Sequence, residues 1–292
     1  MSAADTTWLA SRLALGTAQF GLVYGLNNTT GQPPLAAVVE VLQAARAAGL
    51  TLLDTAAAYG DSEARLGELA SADFALVTKI AAGPPAEVAG QLAASLARLR
   101  REQVYGVLFH AFGPLRDNPG ALAALRDAGR AQRVGVSLYH PHEAEWLLAG
   151  NLDFNLVQVP YNVLDQRFAA LLPQLAARGV EVHVRSAFLQ GLLLREPAGL
   201  PPFFAPLAPR LTQLRALAAE AGVPLPALLL LFAATTPGVG RVVVGVDSVA
   251  NLRENLAAAP FRAAAEELRP ALLALAETTD TFILPYAWPP RP

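Results

Sequence analysis

Four side chains between residues 54 and 110 could together move a proton. Asp54 ends the apolar run Thr51-Leu52-Leu53, and Tyr59 follows five residues later across Thr55 and three alanines, ahead of a turn at Gly60 and Asp61. Lys79 ends the run Phe74-Ala75-Leu76-Val77-Thr78, and His110 ends the run that starts at Val104. An apolar run before a polar loop reads as a buried parallel strand that delivers its last residue to a site. Three successive strands ending in a carboxylate, an ammonium and an imidazole, with a phenol after the first, supply the groups of general acid–base catalysis. Taken singly, each has an ordinary structural reading: Asp54 a cap, Tyr59 a packed aromatic, Lys79 a solvated strand end, His110 a core histidine. Their convergence carries the catalytic reading.

One count strengthens it. The chain has 22 Lys plus Arg, and Lys79 is the single lysine among them. Arginine serves wherever a generic positive charge is wanted. A compact ammonium appears only at a strand end where a broad guanidinium fork would not substitute.

The elements that must position these groups repeat as strand then helix. Strands are predicted at about 12–17, 51–54, 74–79, 104–110, 132–137, 155–159, 180–185 and 241–245, and helices at 35–48, 87–100, 118–128 and 165–178. Gly49, Gly129 and Gly179 stand where left-handed helix ends are expected. Alternation without paired strands implies a parallel sheet with crossover helices, and eight repeats fit a closed (β/α)₈ TIM barrel. Prolines 197, 201, 202, 206 and 209 predict a long loop. Helices from about 210, from about 226 and over 263–278 follow as extra elements, and a Pro-rich tail with Tyr286 and Trp288 is expected near the active-site face. Residues 1–292 read as one barrel domain, because no Gly/Ser-rich or charged linker interrupts them.

Composition narrows the function classes. At 53 % hydrophobic and 16 % charged, 292 residues can bury a barrel-sized core and are not disordered. A net charge of −2 offers no basic face for nucleic acid. With no cysteine, disulfide and thiolate chemistry are absent. The N-terminus lacks a signal-peptide pattern, and the run from Leu225 to Ala234 is too short to span a bilayer. A cytoplasmic monomer without membrane or nucleic-acid partners is the expectation.

Asp54 with Tyr59-Gly60, then Lys79, then His110, resembles the catalytic tetrad of the aldo-keto reductases. The segments Leu15–Gly21, Gly135–Ser137, Gln158–Asn162 and Leu252–Leu256 are similar to that family at matching intervals along most of the chain. The resemblance implies hydride transfer between a nicotinamide and an aldehyde or ketone, with Tyr59 as general acid. An ordinary phenol, with a pKa of about 10, is poorly matched to neutral pH, and a neighbouring ammonium favours its conjugate base. Asp54 would hold Lys79 charged and in place, and His110 would orient the carbonyl. The resemblance also implies that Ser137 and Gln158 hold the carboxamide, that Gly16 and Thr17 border the ribose, and that Leu189 and Gly191 offer backbone to the pyrophosphate. Ser248, Asn251 and Asn255 would take the adenosine end, at a helix N-terminus that favours anions. No metal is implied.

Three departures from the family pattern matter. Leu138 follows Ser137 where an asparagine is common. Arg185 stands where a tyrosine usually stacks on the nicotinamide, so it would either stack in its place or bind an anionic substrate. Val246-Asp247-Ser248 lacks the cation that commonly holds the 2′-phosphate of NADP(H). NADP(H) is the family expectation, with NAD(H) or dual use as the alternative. His140-Pro141-His142-Glu143 reads as a helix start in preference to a metal cluster. Phe20, Tyr24, Phe112 and Trp288 are candidates for an aromatic substrate pocket. The link from His110 to the next helix is short, which suggests an open pocket for a polar, sugar-like carbonyl. A cofactor-binding regulatory or redox-sensing barrel with little turnover is the alternative of a different class, and a barrel isomerase or lyase without nicotinamide is a third.

Overall fold

Eight short strands close into one parallel barrel in sequence order, β1 to β8, with β8 returning to pair β1. They are β1 Leu13–Gly16, β2 Leu52–Asp54, β3 Ala75–Ile80, β4 Val104–Phe109, β5 Ala131–Ser137, β6 Leu156–Pro160, β7 Glu181–Arg185 and β8 Arg241–Gly245. This computed structural model describes residues 3–26, 28, 31–69, 73–150 and 152–289. Each predicted strand is present to within about two residues.

The barrel's inner face explains why chemistry collects at one end. Ala14, Leu52, Val77, Leu108 and Leu156 form a buried apolar cluster of their own, separate from the large core that packs strands against helices. Side chains alternate along a strand with period two. The residues two positions further on therefore stand above that cluster on the same inner face, and they are Gly16, Asp54, Lys79, His110 and Gln158. Register staggers them: Gly16 is level with Asp54, but Asp54 pairs with Val77 and Lys79 with Leu108, so Lys79 and His110 each stand two residues further along than the neighbour before them.

Outside, the helices bury one stripe each. In Leu35–Ala47 the buried residues Val38, Val41, Leu42 and Ala45 follow the three- and four-residue spacing of an amphipathic helix. Leu225–Ala234 differs, since every residue from Ala227 to Ala234 is buried. Among the described residues no single helix is long and apolar enough to cross a membrane. Gly49, Gly129 and Gly179 all take positive φ, as their helix-end positions require.

Several expectations need correction. The helix predicted over 165–178 is confined to Leu172–Ala177, because Pro173 has no N–H to continue a helix from the preceding turn. The region 263–278 breaks at Leu268 into Arg262–Glu267 and Arg269–Leu273, with Pro270 as the cause. The Pro-rich stretch contains the 3₁₀ turns Pro197–Gly199 and Pro202–Leu207. A helix not expected from the pattern, Ala3–Arg12, leads directly into β1. Arg12 joins this end to the strand-start side of β8 through the carbonyls of Ala234 and Val239.

The tail does reach the strand-end face. Tyr286 packs edge-on against Tyr139 at 5.0 Å and its hydroxyl lies 2.9 Å from His140 Nε2, both just beyond β5.

Candidate active site

Lys79 Nζ lies 2.5 Å from Asp54 Oδ1, 3.1 Å from the Thr55 carbonyl and 3.3 Å from Tyr59 Oη. The His110 ring meets the Tyr59 ring edge-on at 5.6 Å. The four side chains read from the sequence therefore form one cluster. Lys79 and Asp54 are 1 % and 2 % exposed, so their ion pair acts at low dielectric, whereas Tyr59 is half-buried and lines the cavity.

Burial works to lower the Lys79 pKa, but the charge of Asp54, then Tyr59, and hydrogen bonds to both outweigh it, and the net displacement is upward. Lys79 is a cation at neutral pH. His110 is pushed down to about 4, first by burial and then by the neighbouring Lys79 and Arg185 charges, with Asp54 opposing. At physiological pH a neutral imidazole therefore stands beside the Tyr59 ring.

Supporting contacts fix the cluster. The Thr17 N–H and hydroxyl both donate to the Asp54 carbonyl, at 2.9 and 3.0 Å. Ser62 Oγ donates to the Thr17 carbonyl at 3.0 Å and lies 3.1 Å from Thr55 Oγ1. Behind Lys79, buried Glu63 accepts from Thr78 Oγ1 at 2.5 Å and from Arg98 Nε at 2.7 Å. This ties β3 to the helices Ser62–Leu69 and Pro85–Leu99. Sequence reasoning missed this framework, because hydroxyl contacts across 45 residues leave no local pattern.

A cavity of about 400 Å³ opens from the cluster. It runs from Asp54, Tyr59 and Gln158 past Ser186–Phe188 and Gln190–Gly191 to Asp247, Asn251, Glu254 and Asn255. Of the expected cofactor residues, Gly16, Thr17, Gln158, Arg185, Gly191, Asn251 and Asn255 line it. Ser137, Leu189 and Ser248 do not. Ser137 is buried beside Gln158 in the strand register. Leu189 is buried in the core, with its N–H donated to Ser186. Ser248 caps the helix Val249–Leu256, accepting from the Asn251 N–H.

Two of these residues make contacts that the sequence does not show. Gln158 Nε2 donates to Asp54 Oδ2 at 2.7 Å, linking the expected carboxamide-binding residue to the carboxylate that holds Lys79. The Arg185 guanidinium lies 4.2 Å over the Tyr139 ring, and its Nη2 donates to the Leu138 carbonyl. Of the aromatic candidates only Tyr24 lines the cavity; Phe20 is core, Phe112 packs on Trp146 and Trp288 on Phe204. Glu143 Oε2 accepts from the Tyr139 and His140 N–H groups, so the His140–Glu143 segment is a helix start.

The shape and chemistry of the cavity fit a dinucleotide. One end holds the Tyr59 phenol and the Gln158 amide, the middle is walled by turn backbone at Ser186–Gly191, and the far end carries amide and carboxylate groups.

Comparison with known proteins agrees with that reading. The model of the aldo/keto reductase family matches residues 12–270. An uncharacterised oxidoreductase of Mycobacterium tuberculosis is 28 % identical, over 88 % of this chain and 86 % of its own. L-galactose dehydrogenase of Arabidopsis thaliana is 27 % identical, over 87 % of this chain and 86 % of its own. The holo form of an aldo-keto reductase from Bacillus halodurans shares the fold, with a TM-score of 0.74 and 22 % identity over 91 % of this chain and 92 % of that one.

Proposed function

The chain belongs to the aldo/keto reductase family and is an NAD(P)-dependent oxidoreductase, and from that premise we propose that it interconverts a carbonyl and an alcohol with Tyr59 as the proton donor. The observation that carries this reading is the position of Tyr59 Oη, 3.3 Å from a buried lysine and on the cavity wall. A reduced nicotinamide, when bound, supplies the hydride that reaches the carbonyl carbon. The carbonyl π pair moves onto oxygen, and Tyr59 gives that oxygen its proton. The Lys79 ammonium stabilises the phenolate left behind.

Asp54 holds Lys79 on its inner side, so the ammonium faces the phenol in one orientation. Neutral His110 offers a ring nitrogen to the carbonyl oxygen without adding a second positive charge. Gln158, Gly16 and Thr17 would hold the nicotinamide half, and Asn251 and Asn255 the adenosine half. In the reverse direction the same groups accept the proton and the hydride leaves the alcohol carbon.

The substrate class we propose is a polar, hydroxylated carbonyl compound such as an aldose. The helix Phe112–Asp117 begins two residues after His110, so the link there is short. Tyr24, Gln19 and Arg185 give the cavity polar edges, and a relative named L-galactose dehydrogenase acts on a sugar.

The test is transfer of label. Cofactor deuterated at C4 of the nicotinamide is incubated with a panel of aldehydes, ketones and aldoses. The reading predicts one deuterium on the former carbonyl carbon of the product. Failure to reduce any member of the panel, or a product whose new C–H bond comes from solvent, would contradict it.

A further inference from the structure

The end of the cavity away from Tyr59 has the wrong charge for a 2′-phosphate. It is closed by the last residues of β8 and by one face of the helix Val249–Leu256. Asn251, Glu254 and Asn255 stand at three- and four-residue spacing and so share that face, and all three line the cavity together with Asp247. Arg253 is two positions from both asparagines, which turns it to the opposite side of the helix, and it does not line the cavity.

No cation compensates. Among the described residues the one basic lining group is Arg185, on β7, stacked on Tyr139 and close enough to His110 to depress its pKa. That places it at the catalytic end. The loop from Ala18 to Pro34, which contributes Tyr24, Gly25 and Asn28 to the lining, contains no lysine or arginine anywhere in its sequence. Arg195, past the turn at Gly191, donates to the Leu26 carbonyl.

A 2′-phosphate carries a charge of roughly −1.5 to −2 at neutral pH and needs cationic or N–H donors. A ribose 2′-hydroxyl instead needs an acceptor, and an acidic side chain at the adenosine ribose is the usual device for NAD. Resting on the nicotinamide reading above, we propose that this chain selects NAD(H) over NADP(H), with Asp247 accepting the ribose 2′-hydroxyl and Glu254 adding repulsion against a 2′-phosphate. Asn251 and Asn255 remain for the adenine. The order of preference is thus the reverse of the family expectation.

Binding tests this without turnover. NADH, NADPH, 5′-AMP and adenosine 2′,5′-bisphosphate are titrated by calorimetry into the wild-type chain and into an Asp247→Arg, Glu254→Gln double variant. The wild type should bind NADH at least about tenfold tighter than NADPH, and the monophosphate tighter than the bisphosphate, since like-charge juxtaposition is costly. Added salt should narrow the gap by screening. The double variant should bring NADPH to parity or beyond. Equal or tighter NADPH binding by the wild type would overturn the selection while leaving the oxidoreductase reading intact. Binding of neither dinucleotide by folded protein would overturn both.

Discussion

Gln158 Nε2 and Lys79 Nζ grip the two oxygens of one buried carboxylate, Asp54, at 2.7 and 2.5 Å. A residue of the cavity wall and the cation beside the Tyr59 phenol thus share a single anchor. Moving either amide or ammonium moves the other's partner.

Lys79→Met should be costly to both rate and fold. It leaves the Asp54 carboxylate buried without its cation, and breaking a buried pair by removing one partner costs about 3–5 kcal/mol. The denaturant midpoint of the single variant should fall accordingly. Adding Asp54→Asn should restore part of the loss, a non-additivity that a double-mutant cycle measures. Strict additivity of the two substitutions would show that the pair is not coupled.

The Lys79 pKa is raised in the folded state above its ordinary 10.5. The stability it contributes is fully present below pH 10.5 and is lost as pH rises through the higher folded value. Wild type should therefore lose more stability than Lys79→Met as pH rises above 10.5. Melting curves across that range check the sign.

His110 works in the opposite sense at the acid end. Its folded value of about 4 lies below the ordinary 6.5, so the unfolded chain binds a proton that the folded chain refuses between those limits. Stability from this group is whole above pH 6.5 and declines as pH falls toward 4. His110→Gln should flatten that part of the acid limb. An unchanged limb would mean that His110 titrates normally in the folded chain.

A great deal of this arrangement is readable from residue order. All eight strands and the four clustered side chains follow from local runs, because each strand's apolar stretch and its terminal polar residue are adjacent in sequence. The contacts that position them are not adjacent. Gln158 reaches Asp54 across 104 residues, Ser62 reaches Thr17 across 45, and Arg185 at the end of β7 lies on Tyr139 just beyond β5, with β6 between the two strands. Pro173 and Pro270 break helices whose apolar spacing continues on both sides of them, so spacing alone overestimates their length. Glu254 is legible in local order, since its three-residue offset from Asn251 puts it on the helix face that lines the cavity.

Gly21 shows how closely the first loop approaches Tyr59. A Cβ on Gly21 would stand 1.8 Å from the Tyr59 carbonyl oxygen and 2.6 Å from the Ser62 N–H nitrogen, both backbone atoms that cannot swing away. Gly21→Ala should displace the turn that carries the phenol. A misplacement of about 1 Å can cost on the order of 100-fold in rate, so turnover should drop by at least about tenfold while dinucleotide binding persists. Wild-type turnover in a folded Gly21→Ala protein would show that the two backbones separate freely.

The central claim is that Tyr59 delivers the proton, and a single-turnover measurement reaches it most directly. Enzyme preloaded with the reduced dinucleotide is mixed with an excess of a carbonyl substrate, and loss of the nicotinamide absorbance is followed by stopped flow for wild type and Tyr59→Phe. General acid catalysis contributes about 10²–10⁴-fold, so the variant should bind the dinucleotide as wild type does and oxidise it at least about 100-fold more slowly. Oxidation at the wild-type rate by Tyr59→Phe would remove the phenol from the chemistry and contradict the account.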